Sequence, residues 1–503
     1  MASQDAEQGA RRREIGVAFA IVIACAPARA GADPAPAAAA PAPSPAPVRV
    51  PAPDIAASAT DTTGGERIII VDTLHPPRAG LDDLVGAAEG APGRERALAE
   101  PPFVTIVRVD DREGETTSVA EALAQGVGVH VRSVGGLGSF ASLSVRGASS
   151  GQTAVLIDGV PLSRVASVTT DLGQFELGAF SELELYRGGV PVAVGGAALG
   201  GALNMVTRVG PGGGGERWRL SVGGGSFGAR HLRVRNLGAS ADGHRAWHLA
   251  AGYAGATGDY VYRDDNGTNL ELDDDRWARR QNDGYDAVDL VARGRVRGDG
   301  LTFTVGSRTL VRAQGIPGTG AVQSETASLA TASELLDAGL EIPAAFGVRD
   351  LAADSHAFVF IERQRYRDRD GEIGVGAQDR RYLTSAGGLA TTWSLEIADA
   401  AARHHLAAGL DVRADHVRDQ DLFRGDGPSV SGWRAGIGVA LADDIAFGAG
   451  GEVVVQPALR LDVERTDPIA DTTSPLGPMA LAPRTDLYPS PRLAARIRVA
   501  PAL

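Results

Sequence analysis

Along the second half of the chain, apolar and polar residues alternate with a period of two. Trp218, Leu220 and Val222 fall on one side of an extended segment and Arg217, Arg219 and Ser221 on the other, because the pleat of a strand sends successive side chains to opposite faces. Trp247, Leu249, Ala251 and Tyr253 form a second such stripe, with aromatic residues at its two ends. Leu301, Phe303 and Val305 alternate with Thr302 and Thr304, and Leu406, Ala408, Leu410 and Val412 with His405, Asp411 and Arg413. Leu459, Leu461 and Val463 alternate with Arg460, Asp462 and Glu464. The pattern predicts about twelve strands after Arg208, the last over Arg492 to Val499 with its start at Ser490-Pro491-Arg492-Leu493. A charged residue at every second position cannot line a dry core. A transmembrane barrel meets that pattern with an apolar outer face and a polar lumen, and a soluble β-sandwich would also alternate. Ala241-Asp242-Gly243 and Arg297-Gly298-Asp299-Gly300 are short turns, whereas Thr257 to Tyr285 is long, acidic and aromatic. In a membrane barrel short turns face the periplasm and long loops the exterior.

The first half reads differently. Arg11-Arg12-Arg13, the apolar run Ile15 to Ala24 and the small-x-small site Ala28-Arg29-Ala30 make residues 1–30 a secretion signal, too short in its apolar part to span a bilayer. The single cysteine, Cys25, lies inside that signal, so the mature chain has no disulfide; acylation of Cys25 as a lipoprotein is the alternative reading. Residues 31–66 are rich in Pro and Ala and predict an extended linker. The β-prone run Ile68-Ile69-Ile70-Val71 follows, within 67–73. No later apolar run reaches the length of a membrane helix, so a membrane would have to be crossed by strands. The chain of 503 residues has room for two or three domains. Its net charge of −13, with no lysine and no basic tail, argues against nucleic acid as a partner.

Between these halves lies a Gly-rich segment, 100–210. Val155-Leu156-Ile157 is a short buried strand, and Asp158-Gly159 is a tight-turn signal that sends the chain back on itself. Gly188-Gly189, Gly195-Gly196 and Gly200-Gly201 allow close packing or positive φ. A nucleotide-binding turn would need G-x-G-x-x-G between a strand and a helix, but this run leads into the strand-like Leu203 to Thr207. Five blocks in order, SVAEAL from Ser118, LSVRG over Leu143 to Gly147, VLIDGVPL over Val155 to Leu162, LELYRGG over Leu183 to Gly189 and GGALNMVTR over Gly200 to Arg208, resemble the plug domain of the TonB-dependent outer-membrane receptors.

That resemblance implies an N-terminal α+β plug domain followed by an antiparallel transmembrane β-barrel over 216–503. About 12 of the family's roughly 22 strands are legible, and a barrel that small could not enclose its plug, so the expectation is a truncated receptor with an incomplete barrel. Ile68, Ile69, Ile70 and Val71 then stand where the family carries its TonB box, which pairs with the energy-coupling protein by strand addition; an ordinary strand is the plainer reading. Arg146, Gly147, Asp158, Gly159, Glu182, Glu184, Arg187 and Gly188, carried over by motif, are expected at the plug–barrel interface, where hydrated polar contacts can be remodelled. The implied function is import across the outer membrane of a scarce nutrient, a ferric siderophore or another metal chelate such as cobalamin, driven through TonB by the inner-membrane proton gradient. A binding or signalling receptor without transport and a non-functional fragment are the alternatives. A signalling receptor would carry a further folded domain before the box, where this chain has its linker.

Candidate chemistry is sparse. Gly224-Gly225-Ser226-Phe227-Gly228 matches the G-x-S-x-G of hydrolases, but strands on both sides make it a hairpin turn rather than a strand-to-helix elbow. Asp264-Asp265-Asn266-Gly267 resembles a calcium loop, yet Tyr262 occupies the position where the first carboxylate is needed. His404 and His405 point to opposite faces of a strand and do not share a metal. The sequence therefore predicts no enzyme, no cofactor and no metal site.

Overall fold

The computed structural model describes residues 104–109, 118–124, 126–162, 169–187, 200–210, 215–268, 270–374, 376–399, 401–423, 430–448, 453–467 and 482–497. The expected secretion signal with Cys25, the linker, the candidate TonB box at Ile68 to Val71 and Gly188 lie outside the described residues. Among the described residues no helix is long and apolar enough to cross a membrane.

Strands β1 (Val104–Arg108), β2 (Val129–Ser133), β3 (Ala141–Val145), β4 (Thr153–Ile157), β5 (Val160–Pro161), β6 (Glu182–Tyr186) and β7 (Gly201–Val206), with the short helix α1 (Val119–Ala124), build the N-terminal unit. Its sheet has the order β1-β6-β7-β4-β5, with β2 and β3 forming a separate hairpin. Only β4 and β7 run parallel in it. Helix α1 starts where Ser118 and Glu121 cap each other: the Glu121 N–H donates to Ser118 Oγ and the Ser118 N–H to the Glu121 carboxylate, both at 3.2 Å, which satisfies two amides that a helix start leaves bare. Asp158 and Gly159 sit at φ 49° and 79°, the left-handed pair that a two-residue hairpin needs to match strand twist, so β4 and β5 pair through Ile157 and Val160. At Gly201, φ is 136° and a Cβ would stand 2.3 Å from the Tyr186 carbonyl oxygen. Only glycine lets β7 lie that close to β6.

Twelve further strands form one antiparallel sheet in sequence order: β8 (Gly215–Gly224), β9 (Arg230–Ala239), β10 (Arg245–Ala256), β13 (Tyr285–Gly298), β14 (Leu301–Gly315), β15 (Ser328–Ile342), β16 (Leu351–Asp368), β17 (Gln378–Ala398), β18 (Ala402–Asp421), β19 (Val430–Phe447), β20 (Val453–Asp467) and β21 (Arg484–Ile497). A small hairpin, β11 (Val261–Asp264) with β12 (Arg276–Arg279), projects from the connection between β10 and β13. The sheet is open, with β8 and β21 as its edges. Strand β21 begins at Arg484 rather than at the Ser490-Pro491 start read from the sequence, and holds Pro489 and Pro491 inside it. An edge strand tolerates proline because one row of its N–H groups needs no ladder partner.

The alternation read from the sequence sets the two faces of this sheet. Trp218, Leu220 and Val222 are 67, 67 and 70% exposed on the outer face, and Phe303 is 43% exposed where its neighbour Thr304 is 3%. Turns also alternate: Asp299-Gly300 joins β13 to β14 at one end, while 257–284 and 316–327 connect strands at the other.

The main apolar core lies inside the N-terminal unit, around Leu123, Leu143, Leu172, Phe180, Leu183, Leu203 and Met205. The sheet wall reaches into the same core with Leu335, Phe360 and Ala386. Thus the inner concave face of the sheet wraps the unit and contributes part of its core.

Candidate plug–barrel interface and ligand cleft

The segment from Asp171 to Phe180 carries much of the contact with the wall. Two 3-10 turns, Leu172–Gln174 and Leu177–Ala179, keep it tight. Asp171 starts it by accepting the amides of Gly173 and Ala141, both at 2.9 Å. Burial pushes the Asp171 carboxyl above its ordinary range, opposed by the charge of Arg312 on the wall.

Arginines from inward positions of the sheet meet this segment. Arg312 donates to the Gly173 carbonyl at 2.8 Å and to the Gly138 carbonyl, and its guanidinium lies 4.5 Å from the Tyr285 ring centre. Arg308 stands 4.0 Å above the Phe180 ring and reaches the Ala179 carbonyl at 3.5 Å. A guanidinium over a ring in so dry a place contributes about 2 kcal/mol. Arg233 grips Asp289 with two bonds of 2.9 and 2.6 Å, and its charge opposes the rise of the Glu176 carboxyl. Burial holds the Glu176 carboxyl up at about 7 against that attraction.

Asp158, read from the sequence as an interface charge, meets the wall directly. Its Oδ2 lies 3.2 Å from Arg293 Nη1 while its Oδ1 accepts the Thr207 amide at 2.7 Å. Arg293 also bonds both carboxylate oxygens of Asp337 at 3.1 Å, and Asp337 lies 3.2 Å from His356 Nε2. Gly159 donates its amide to Asn204 Oδ1 at 2.9 Å and stays within the N-terminal unit.

The other expected interface residues have their described bonds inside the unit. Glu182 pairs with Arg208 at 2.5 Å, and Glu184 accepts from Tyr186 and Asn204 at 2.9 Å. Arg187 donates to the Val127 carbonyl at 3.0 Å and to Thr105 Oγ1. The physical reason is sheet order: β6 lies between β1 and β7, so its side chains meet sheet neighbours before they meet the wall. Arg146 and Gly147 form an exposed turn after β3, with the Arg146 amide donating to the Gly128 carbonyl at 2.9 Å.

Arg233, Arg293, Arg308 and Arg312 were missed by the sequence reading. Their signal was present: Arg308 and Arg312 share the parity of Thr302 and Thr304, opposite the outward Leu301, Phe303 and Val305. What the sequence lacked was the identity of the surface they face.

A cleft of about 600 Å³ opens where the loop Gly135 to Ser139 approaches Phe227, Gly258 and Tyr260. Phe227, Tyr260 and Tyr262 form a chain of edge-to-face rings with centres 5.7 and 6.1 Å apart. Glu121, Ser118, Ser133 and Ser139 supply its polar lining. Asp283 anchors the loop through the Gly136 amide and Ser139, and burial raises its carboxyl above the ordinary range. Aromatic walls with a few hydroxyls and backbone amides suit a small organic ligand.

The sites of other chemistry dissolve. Ser226 to Gly228 is a hairpin turn with Phe227 at φ 57° between β8 and β9. In the acidic loop the Asn266 and Gly267 amides bond Asp264 and Asp265, and Arg276 pairs with Asp264. His404 lies 2.8 Å from Asp443, while His405 turns towards Glu396. Among the described residues no group of three or more His, Cys, Asp or Glu side chains is placed to hold a metal.

Comparison with known proteins fits this architecture. The family described as the TonB-dependent receptor plug domain matches residues 99–202. The vitamin B12 transporter BtuB of Vibrio cholerae serotype O1 is 36% identical over 103 residues, which are 20% of this chain and 17% of that protein. Among solved structures, the unliganded ferric citrate transporter FecA superposes with a TM-score of 0.58 at 15% identity, over 78% of this chain and 60% of that one. The copper transporter OprC gives 0.62 at 13% identity, over 80% and 61%. FpvA of P. aeruginosa, bound to heterologous pyoverdines, gives 0.61 at 11% identity, over 80% and 55%. At such identities the structural likeness speaks for the fold, and the chain spans about 60% or less of the length of these neighbours. Residues 99–202 are thus similar to the plug domain of the TonB-dependent receptors, and the sheet that wraps them shares its fold with these transporters.

Proposed function

We propose that the protein is an outer-membrane transporter that captures a small metal chelate, a ferric siderophore or a corrinoid such as cobalamin, and imports it by TonB-driven displacement of the plug. The observation that carries this reading is the cleft of about 600 Å³ whose floor is the plug's own Gly135 to Ser139 loop. A ligand seated there touches both the plug and the outer connections, so occupancy is coupled to plug position. The names of the vitamin B12, ferric citrate and copper transporters supply the ligand class. The sheet would cross the membrane with its apolar face in lipid, the long connections outside and the short turns in the periplasm. TonB would engage Ile68 to Val71 by strand addition. Work comes from the inner-membrane proton gradient, about 2.3 kcal/mol per charge per 100 mV, because tight capture and release need two plug states of different affinity.

The test is ligand binding followed by uptake. Cyanocobalamin and a ferric siderophore are titrated against the purified chain in detergent, with Tyr260→Ala as the control for the cleft, and labelled ligand is followed into receptor-deficient cells with and without TonB. Binding lost in Tyr260→Ala, with TonB-dependent uptake, is the expected result. Binding without TonB-dependent uptake makes the protein a binding receptor, and no binding of either probe removes the transporter reading.

A further inference from the structure

Two arginines of the wall meet the plug, and both already hold a carboxylate of the wall. Arg293 bridges Asp158 of the plug to Asp337 on β15, at 3.2 and 3.1 Å. Arg233 on β9 takes Asp289 on β13 in a two-bond grip while it packs against Gly178 of the plug, where an added Cβ would stand 3.1 Å from its side chain. Both arginines and their carboxylate partners on the wall are buried at the side-chain level, with exposures between 4 and 12%. Arg308 and Arg312 are built differently and bond plug carbonyls.

Much of the cost of breaking a buried ion pair comes from the partner left behind, uncompensated and out of water. If the plug withdrew from a wall arginine that had no other counter-ion, that guanidinium would be stranded and the plug would be held hard. With Asp337 and Asp289 in place, the arginine keeps a charge-assisted partner in both states. The plug carboxylate, moving towards water, recovers its hydration.

We propose that Asp337 and Asp289 are stand-in counter-ions, positioning residues that keep Arg293 and Arg233 neutralised when the plug, with its carboxylate Asp158, withdraws from them. The wall is closed electrostatically by itself, so these contacts orient the plug without locking it. This rests on the reading that the plug moves during function, but its test needs neither ligand nor TonB.

Hydrogen exchange of plug amides, read by mass spectrometry on the purified full chain, measures how often the plug opens locally. The probes are the amides of Asp158, Gly159 and Thr207 for the first pair and of Gly173 to Phe180 for the second. Removing a wall charge with Asp337→Asn or Asp289→Asn is expected to slow exchange at its own probe set by about tenfold or more, because opening now strands an arginine. Asp158→Asn is expected to speed exchange at the first set. A merely structural role for the wall carboxylates predicts the opposite sign, since losing a support loosens what it supports. Unchanged or faster exchange in both wall variants, each with native strand content by circular dichroism, overturns the proposal. Should one variant fail to fold, the other pair carries the same test.

Discussion

At the scale of single residues, the plug docks through side chains whose charge states depend on the wall. Glu176 is held up at about 7 from an ordinary value of 4.5, first by burial and then by the neighbouring charge of Asp289, with Arg233 opposing. The folded protein therefore keeps a proton on Glu176 that the unfolded chain has already released. This contribution is fully present below about 4.5 and is lost as pH rises through about 7. The urea midpoint of the full chain should fall between pH 5 and pH 8, and Glu176→Gln, which carries no titrating proton, should flatten that part of the profile. A slope unchanged in the variant would remove Glu176 from the linkage. Asp158, expected at the interface by its motif, lies 3.2 Å from Arg293 of the wall, while the bonds described for Glu182 and Glu184 on β6 lie within the plug.

At the scale of elements, the connections on the long-loop side are tied to one another. Glu372, between β16 and β17, receives the Ser324 hydroxyl at 2.6 Å, the Glu325 amide at 3.0 Å and the Thr326 amide and hydroxyl at 2.9 Å, all from the connection between β14 and β15. These donors hold its carboxyl down at about 2 from 4.5. A carboxylate so depressed stabilises the clasp above about 4.5 and loses that effect as pH falls towards 2. Glu372→Gln should free the 316–327 connection at neutral pH, so that a glutamate-specific protease cuts after Glu325 in the variant and spares the native chain. Equal cutting of both would show that other contacts hold this connection. The sequence marked the connections as turns and loops, but no local pattern announces that one carboxylate collects donors from a strand connection more than forty positions away.

At the scale of the whole molecule, the curved sheet sorts its side chains into an outward apolar face and an inward charged face. On the reading that lipid covers the outward face, Phe303→Arg should cost about 2–4 kcal/mol if it lies near the bilayer midplane. Folding into liposomes, followed by the heat-dependent shift in gel mobility, would report it as a smaller folded fraction. A variant that inserts as well as the native chain would argue that the outward face is not lipid-covered. The inner face is a mosaic of paired charges, among them Arg434 with Asp415 and Arg460 with Asp411 and Asp462. Such pairing lets a wide polar wall stand next to the plug without a large unbalanced field.

The sequence by itself determined the strands, their faces, the tight turn at Asp158-Gly159 and the order of the plug blocks. These are local properties, written in a period of two and in residues that alone tolerate a given φ. Only the tertiary structure decided which charges meet. Arg312 and Gly138 stand 174 positions apart, and their bond exists because the sheet curves around the plug and brings one inward parity of β14 onto one loop. Alternation says that an arginine points inward; the packed fold says what it finds there.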